Sequence, residues 1–225
     1  MWALCGCVPP GGDCEGGAMS AEDLKKEPLN VIIAGVGGQG NVLMSFLIGN
    51  ALVRRGYVVT VFDNYGASQR LGAVASHIKI SKEGLQNSPL LHEGDADVIV
   101  GIEPIELLRN LSQFGNPEVI AVANLRPVYP IGVISGEVEY PELDEASAAI
   151  RRLSAQAWII NATDEALALG NPIYTNVILM GALIGSGVLP LDVMAMEEVL
   201  KEQLPKAFEI NKVALHRGVD LVKAG

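Results

Sequence analysis

The chain has 225 residues, a formal net charge of −10, 49% apolar residues and only 5% aromatic ones. That length allows one sizeable core, and the wealth of small apolar side chains suits helices packed on a buried parallel sheet. The acidic balance, without a long basic run, argues against a nucleic-acid partner, which needs clustered Lys and Arg to neutralise phosphates.

The first residues read as a leader. Cys5, Cys7 and Cys14, together with Pro9-Pro10-Gly11-Gly12 and Gly16-Gly17, lie ahead of Met19. Residues 1–28 are expected to be a disordered leader or an extension from an upstream start. A thiolate clip is the alternative, but a metal or iron–sulfur cluster usually takes four ligands. The segment has neither a basic n-region nor a continuous apolar h-region for secretion. With no cysteine in the body, the expected compartment is the cytoplasm.

Residues 29–225 are read as one domain. Val31 to Ala34 is a β-branched run that predicts a buried strand. A helix is predicted from Gln39 to Arg55, with Val42, Leu43, Phe46, Leu47, Ile48, Leu52 and Val53 as its apolar positions and Gly56 past its end. Tyr57 to Phe62 reads as the second strand, completing a βαβ unit. A polar turn runs from Asp63 to Leu71, and the alternation from Val74 to Ile80 predicts another strand.

Strands follow at Ala96 to Val100 and Glu118 to Ala123, with a helix from Pro104 to Phe114 between them. Asn124 to Tyr140, holding Pro127, Pro130 and Gly132, reads as irregular or as short edge strands. A helix from Pro141 to Ser154 and a strand from Ala157 to Ile160 come next. The remainder is predicted helical: Thr163 to Leu169, Tyr174 to Ile184, Leu191 to Leu204 and Pro205 to Lys223. The stretch Val177 to Leu191 is too short and too broken by glycine and proline to span a membrane. An α/β, Rossmann-like, doubly wound and mostly parallel sheet with a helical C-terminal portion accounts for this order. The apolar positions of the last helices, among them Met194, Met196, Leu200, Phe208, Val213 and Leu215, read as core first and as a partner surface second.

Two blocks carry chemistry. Gly35-Val36-Gly37-Gly38-Gln39-Gly40 fits G-x-G-x-x-G between a strand and a helix, so its amides and the helix N-terminus suit an anion. Gln39 either adds a side-chain contact or caps the turn. Asp63, at the end of the second strand, stands where a dinucleotide fold bonds a ribose, which keeps a stand-alone NAD(P)- or nucleotide-binding protein as the alternative. The second block, Gly66 to His77, replaces the usual connecting helix with a loop. There Ser68, Gln69 and above all Arg70 are candidates to meet a carboxylate or phosphate. His77 reads as structural rather than catalytic. No acid–base pair and no metal site is assigned.

The two loops together resemble the γ-type domain of thiamine-diphosphate-dependent 2-oxoacid:ferredoxin oxidoreductases, and are most similar to its indolepyruvate branch. Asn161-Ala162-Thr163 and the helix Thr175-Asn176-Val177 to Gly181-Ala182-Leu183 share the resemblance, which makes Asn176 a further ligand candidate. Leu71 departs from the family's Arg-Gly-Gly. The resemblance implies a complex that oxidatively decarboxylates an aryl 2-oxoacid to an acyl-CoA while reducing ferredoxin. It implies that thiamine diphosphate, magnesium and 4Fe-4S clusters belong to a partner α subunit. It also implies a hetero-oligomer, with a homodimer left open, in which this chain is inactive alone and either shapes the active-site entrance or binds coenzyme A. The chain agrees in lacking both a Cys-rich cluster motif in its body and a G-D-G…N segment.

Overall fold

Glycine and proline punctuate the chain where the elements change. The computed structural model describes residues 24–66, 72–82, 88, 90–129, 131–137 and 139–223. The three cysteines and the candidates Ser68, Gln69 and Arg70 fall outside these residues. In chain order the elements are β1 (Leu29–Val36), α1 (Asn41–Arg54), β2 (Val58–Tyr65), β3 (Ala73–Ser81), β4 (Val98–Gly101), α2 (Pro104–Phe114) and β5 (Ile120–Asn124). They continue with α3 (Ile131–Ile134), α4 (Leu143–Leu153), β6 (Gln156–Ile160), α5 (Ala162–Ala168), α6 (Thr175–Gly185), α7 (Val193–Gln203) and α8 (Phe208–Lys223). Short 3-10 turns at Pro172–Tyr174 and Pro205–Ala207 lead into α6 and α8. Each proline opens its turn, where its missing N–H leaves no helical bond unmade.

The sheet has six strands in the order β2-β3-β1-β4-β5-β6. β1 pairs in parallel with β4, β4 with β5 and β5 with β6. β3 runs against both β1 and β2. The fold is therefore the expected mostly parallel, doubly wound one, with a single reversed strand. From β1 the chain crosses by α1 to one side of the sheet and later returns to the other side at β4. The gap between the ends of β1 and β4 is a topological switch point, where open α/β sheets bind their ligands.

All eight residues of β1 are buried, as a strand covered on both faces requires. One face, with Val31, Ile33, Ile78, Val98 and Val100, packs against α1 and α6, which α7 and α8 cover in turn. The other, with Ile32, Ala34, Ile99, Ala121 and Ala123, packs against α2 and α4. α6 is apolar nearly all round because the sheet, α1 and α8 enclose it. Its contact with α8 is close enough to require Gly181 and Gly218.

Three details differ from the expectations. Of the apolar positions expected in α1, Leu47, Ile48 and Leu52 are buried, but Val42, Leu43 and Phe46 are exposed and Met44 joins the core in their place. Asn124 to Tyr140 contains α3 and, among its described residues, no strand beyond the end of β5. Met196, Leu200 and Leu215 belong to the core, whereas Met194 (74% exposed) and Val213 lie on the surface. Just ahead of β1, Lys26 pairs with Asp97 at 2.6 Å and Glu27 accepts from the Lys82 amide.

His77 is buried between Phe62 and Phe114, edge to face with both rings, and its Nδ1 has no partner among the described residues. Burial holds its pKa below the ordinary value, helped by Lys79 and opposed by Asp63. An unfolded chain therefore takes up a proton near pH 6.5 that the folded one refuses. The contribution of His77 is present above the unfolded pKa, and stability falls as pH drops through it. Chemical denaturation at pH 7.5 and 5.5 should show this loss, and His77→Phe should reduce it.

Candidate functional site

Both loops singled out in the sequence leave the same rim of the sheet. β1 ends in the glycine turn, β2 ends at Tyr65, and β3 begins at Ala73 beside it. The Gly37 amide donates to the Gly72 carbonyl at 2.9 Å, and the Gly66 amide to the Ala73 carbonyl at 2.8 Å. Gly72 is thereby tied to the glycine turn, and Gly66 to the start of β3.

Within the turn each residue has a distinct place. A Cβ on Gly35 would lie 2.7 Å from Gln39 Oε1 and 2.9 Å from Asn41 Oδ1, so glycine lets both amides fold over the strand end. Gln39 Oε1 accepts from the Val36 amide at 2.7 Å, so its side chain clasps its own turn. Gly38 (φ 96°) and Gly40 (φ 85°) both adopt the left-handed region that favours glycine. Gly40 is the N-cap of α1, and among the described residues no side chain caps that helix. No described residue accepts from the Gly38 or Gly40 amide, and the first helical amides have no intrahelical acceptor. This is the N-terminus of a fourteen-residue helix, carrying partial positive charge, with its first donors unpartnered among the described residues.

Asn176 closes the turn from α6. Its Nδ2 sits 2.4 Å from where a Gly40 Cβ would be. The residue is 5% exposed, and its Oδ1 has no partner among the described residues. Asn41 is similar, with Nδ2 donating to the Val74 carbonyl at 3.0 Å while Oδ1 is unpartnered.

Residues 38–40 of the turn and Asn176 line an open cleft of about 710 Å³ at the switch point. Its walls include Gly38, Gln39, Gly40, Ile102, Arg126, Thr163 and Asn176. Leu43, Leu167 and Ile173 give it an apolar rim. Behind it, Asn124 Nδ2 donates to Thr163 Oγ1 at 3.0 Å, and the Thr163 amide returns a bond to Asn124 Oδ1. That buried pair locks the ends of β5 and β6 together. Arg126, just past β5, is exposed and makes no ion pair among the described residues. It is the cation that the sequence motifs did not mark.

The structure brings together Gly35, Gly37, Gly38, Gln39, Gly40 and Asn176, but not Asp63. β3 stands between β1 and β2, which puts Asp63 about two strand spacings, or roughly 10 Å, from the turn. Its carboxylate instead accepts from Ser76 Oγ at 2.5 Å across the β2–β3 pair. The ribose position of a dinucleotide fold is therefore not reproduced. Among the described residues, no three His, Cys, Asp or Glu side chains group to hold a metal, and no helix is long and apolar enough to cross a membrane.

Comparison with known proteins gives a consistent picture. The pyruvate ferredoxin/flavodoxin oxidoreductase family matches residues 30–221. The chain is 34% identical over 198 residues to indolepyruvate oxidoreductase subunit IorB of Archaeoglobus fulgidus, covering 88% of this chain and 96% of that protein. It is 34% identical over 196 residues to the IorB subunit of Thermococcus kodakarensis, covering 86% and 96%. Pyruvate oxidoreductase subunit PORC from Thermotoga maritima shares the fold with a TM-score of 0.63 at 21% identity, over 87% of this chain and 97% of that one. A 2-oxoglutarate:ferredoxin oxidoreductase from Magnetococcus marinus, solved with 2-oxoglutarate, coenzyme A and succinyl-CoA bound, matches with a TM-score of 0.67 at 23% identity, over 89% of this chain but 32% of that one.

Proposed function

The chain belongs to the pyruvate ferredoxin/flavodoxin oxidoreductase family, and we propose that it is the small subunit of an indolepyruvate-type 2-oxoacid:ferredoxin oxidoreductase whose switch-point cleft receives the anionic part of coenzyme A. In the overall reaction an aryl 2-oxoacid loses carbon dioxide, its acyl group joins the coenzyme A thiol, and two electrons pass to ferredoxin. Thiamine diphosphate supplies the carbanion chemistry of such reactions. We assign it, with its magnesium and the iron–sulfur clusters, to a larger partner chain.

The observation that carries the role of this chain is the meeting of uncapped α1 amides, the free Arg126 guanidinium and the unpartnered Asn176 Oδ1 in one cleft. Amides of Gly38 and Gly40 suit a phosphate oxygen, because the left-handed glycines expose backbone N–H without a Cβ. Arg126 offers a fork of donors that matches phosphate. Asn176 Oδ1 suits an amide or hydroxyl donor, and coenzyme A carries both along its pantetheine arm. The apolar rim of Leu43, Leu167 and Ile173 covers the less polar stretches of such a ligand. Arg70, on the segment tied to Gly37 through Gly72, is assigned as a second cation, with Ser68 and Gln69 beside it.

A protein binding a nicotinamide dinucleotide alone is the weaker reading, since Asp63 is engaged by Ser76 away from the turn. Co-expression with a thiamine- and iron–sulfur-containing partner tests the proposal. Reduction of a ferredoxin-type dye by aryl pyruvates should require both chains and coenzyme A. A partner equally active without this chain would overturn it.

A further inference from the structure

Glu103 is 2% exposed, yet it lies outside the cleft lining. It follows β4 and caps α2, with Oε2 accepting from the Glu106 amide at 2.9 Å. That cap accounts for one of its oxygens. The other, Oε1, accepts from the Tyr140 hydroxyl and from the Val128 amide at 3.5 Å. These two donors sit at either end of the irregular stretch that follows β5.

Arg126, Pro127 and Val128 form one wall of the cleft. Past them, Tyr129 meets the Tyr140 ring edge to face at 5.1 Å between centroids. Tyr140 therefore holds the stretch twice, by its hydroxyl through Glu103 and by its ring through Tyr129. The Leu125 amide still donates to the Ile160 carbonyl at 3.1 Å and holds the N-terminal side of Arg126. Beyond it the backbone has no ladder, so the contacts at Val128 and Tyr129 hold the other side of Arg126.

We propose that Glu103 and Tyr140 are positioning residues for the anion site, clamping the stretch after β5 so that Arg126 faces the glycine turn. The proposal rests on the reading of the cleft as a coenzyme A site. Neither residue lines the cleft. Both act through Arg126, as the shared oxygen Oε1 links the Val128 amide to the Tyr140 hydroxyl.

Tyr140→Phe removes the hydroxyl and keeps the ring against Tyr129. It leaves the α2 cap intact, which Glu103→Gln would not. Titration of the full chain with coenzyme A, in wild type, Tyr140→Phe, Arg126→Ala and the double variant, forms a cycle. Tyr140→Phe should weaken binding about 3- to 10-fold, the range of one lost hydrogen bond. In the Arg126→Ala background it should cost nothing further, because the residue it positions is gone. An unchanged affinity in Tyr140→Phe, or losses that multiply in the double variant, would overturn the proposal.

If the wild-type chain binds no coenzyme A, the reading of the cleft fails by itself. Hydrogen exchange then decides the clamp. The amides of Arg126, Val128 and Tyr129 should exchange faster in Tyr140→Phe, with those of α1 unchanged. Equal exchange in both proteins would refute it.

Discussion

Gly218→Ala is expected to destabilise the domain by about 3 kcal/mol, the upper part of the range for overpacking a tight core. A Cβ there would lie 1.9 Å from the Ile178 carbonyl oxygen and 2.7 Å from the Ala182 nitrogen. Across the same seam, a Cβ on Gly181 would lie 2.0 Å from the Leu215 carbonyl oxygen. All three neighbours are backbone, so no rotamer change relieves them and α6 and α8 must move apart. α6 lies within the main core, and its shift would open contacts to the sheet and to α1 together. Gly49→Ala provides the opposite sign. Its Cβ would meet only Val61 and Val59 side chains at 3.6 and 3.8 Å, an ordinary contact. Alanine is the better helix former by about 0.8–1 kcal/mol. Urea unfolding should place the Gly218→Ala midpoint below wild type and the Gly49→Ala midpoint above it. Equal midpoints would mean that the helix seam is looser than its geometry.

Arg126→Ala is expected to weaken coenzyme A binding roughly 10- to 100-fold, since hydrogen bonds to charged groups are worth about 1.5–3 kcal/mol. Arg126 is exposed and unpaired among the described residues, so its removal leaves no orphaned partner and the fold should be unaffected. Arg126→Lys should fall between the two, because the charge stays while the planar fork is lost. The arginine's contribution should shrink as salt is raised, as screening of a partly exposed pair requires. Calorimetric titrations of the three proteins at low and high salt measure all of this. An affinity independent of residue 126 would place the anion elsewhere.

The elements were legible in the sequence because glycine and proline mark their ends. Gly56 closes α1, Pro104 opens α2, and Pro205 separates α7 from α8. The neighbours of each strand were not legible. The alternation of Val74, Ser76, Ile78 and Ile80 identifies a strand, but nothing local states that β3 inserts between β1 and β2. That insertion removes Asp63 from the ribose position, and it depends on long-range pairing of β1 with β3.

The exposure of Val42, Leu43 and Phe46 has a similar cause. An apolar helix shows its type, but which of its faces meets the sheet depends on tertiary packing. Of the site, the turn Gly35 to Gly40 was visible from its spacing, and Asn176 from the resemblance of α6. Arg126 was not visible, since it stands in a proline-containing stretch without a motif. Only the parallel pairing of β5 with β4 carries it to the rim of the glycine turn. Gln39 shows the converse, a polar residue at a ligand-facing turn whose side chain is used by the turn itself.

On the proposed reading, the amides of a left-handed glycine turn, joined by one guanidinium, form a site on this chain for a phosphate-bearing thiol cofactor. Calorimetric titration of the purified chain with coenzyme A and, separately, with NAD decides whether it exists. Saturable heat with coenzyme A and none with NAD is the predicted result. No response to coenzyme A, with or without binding of NAD, would contradict it.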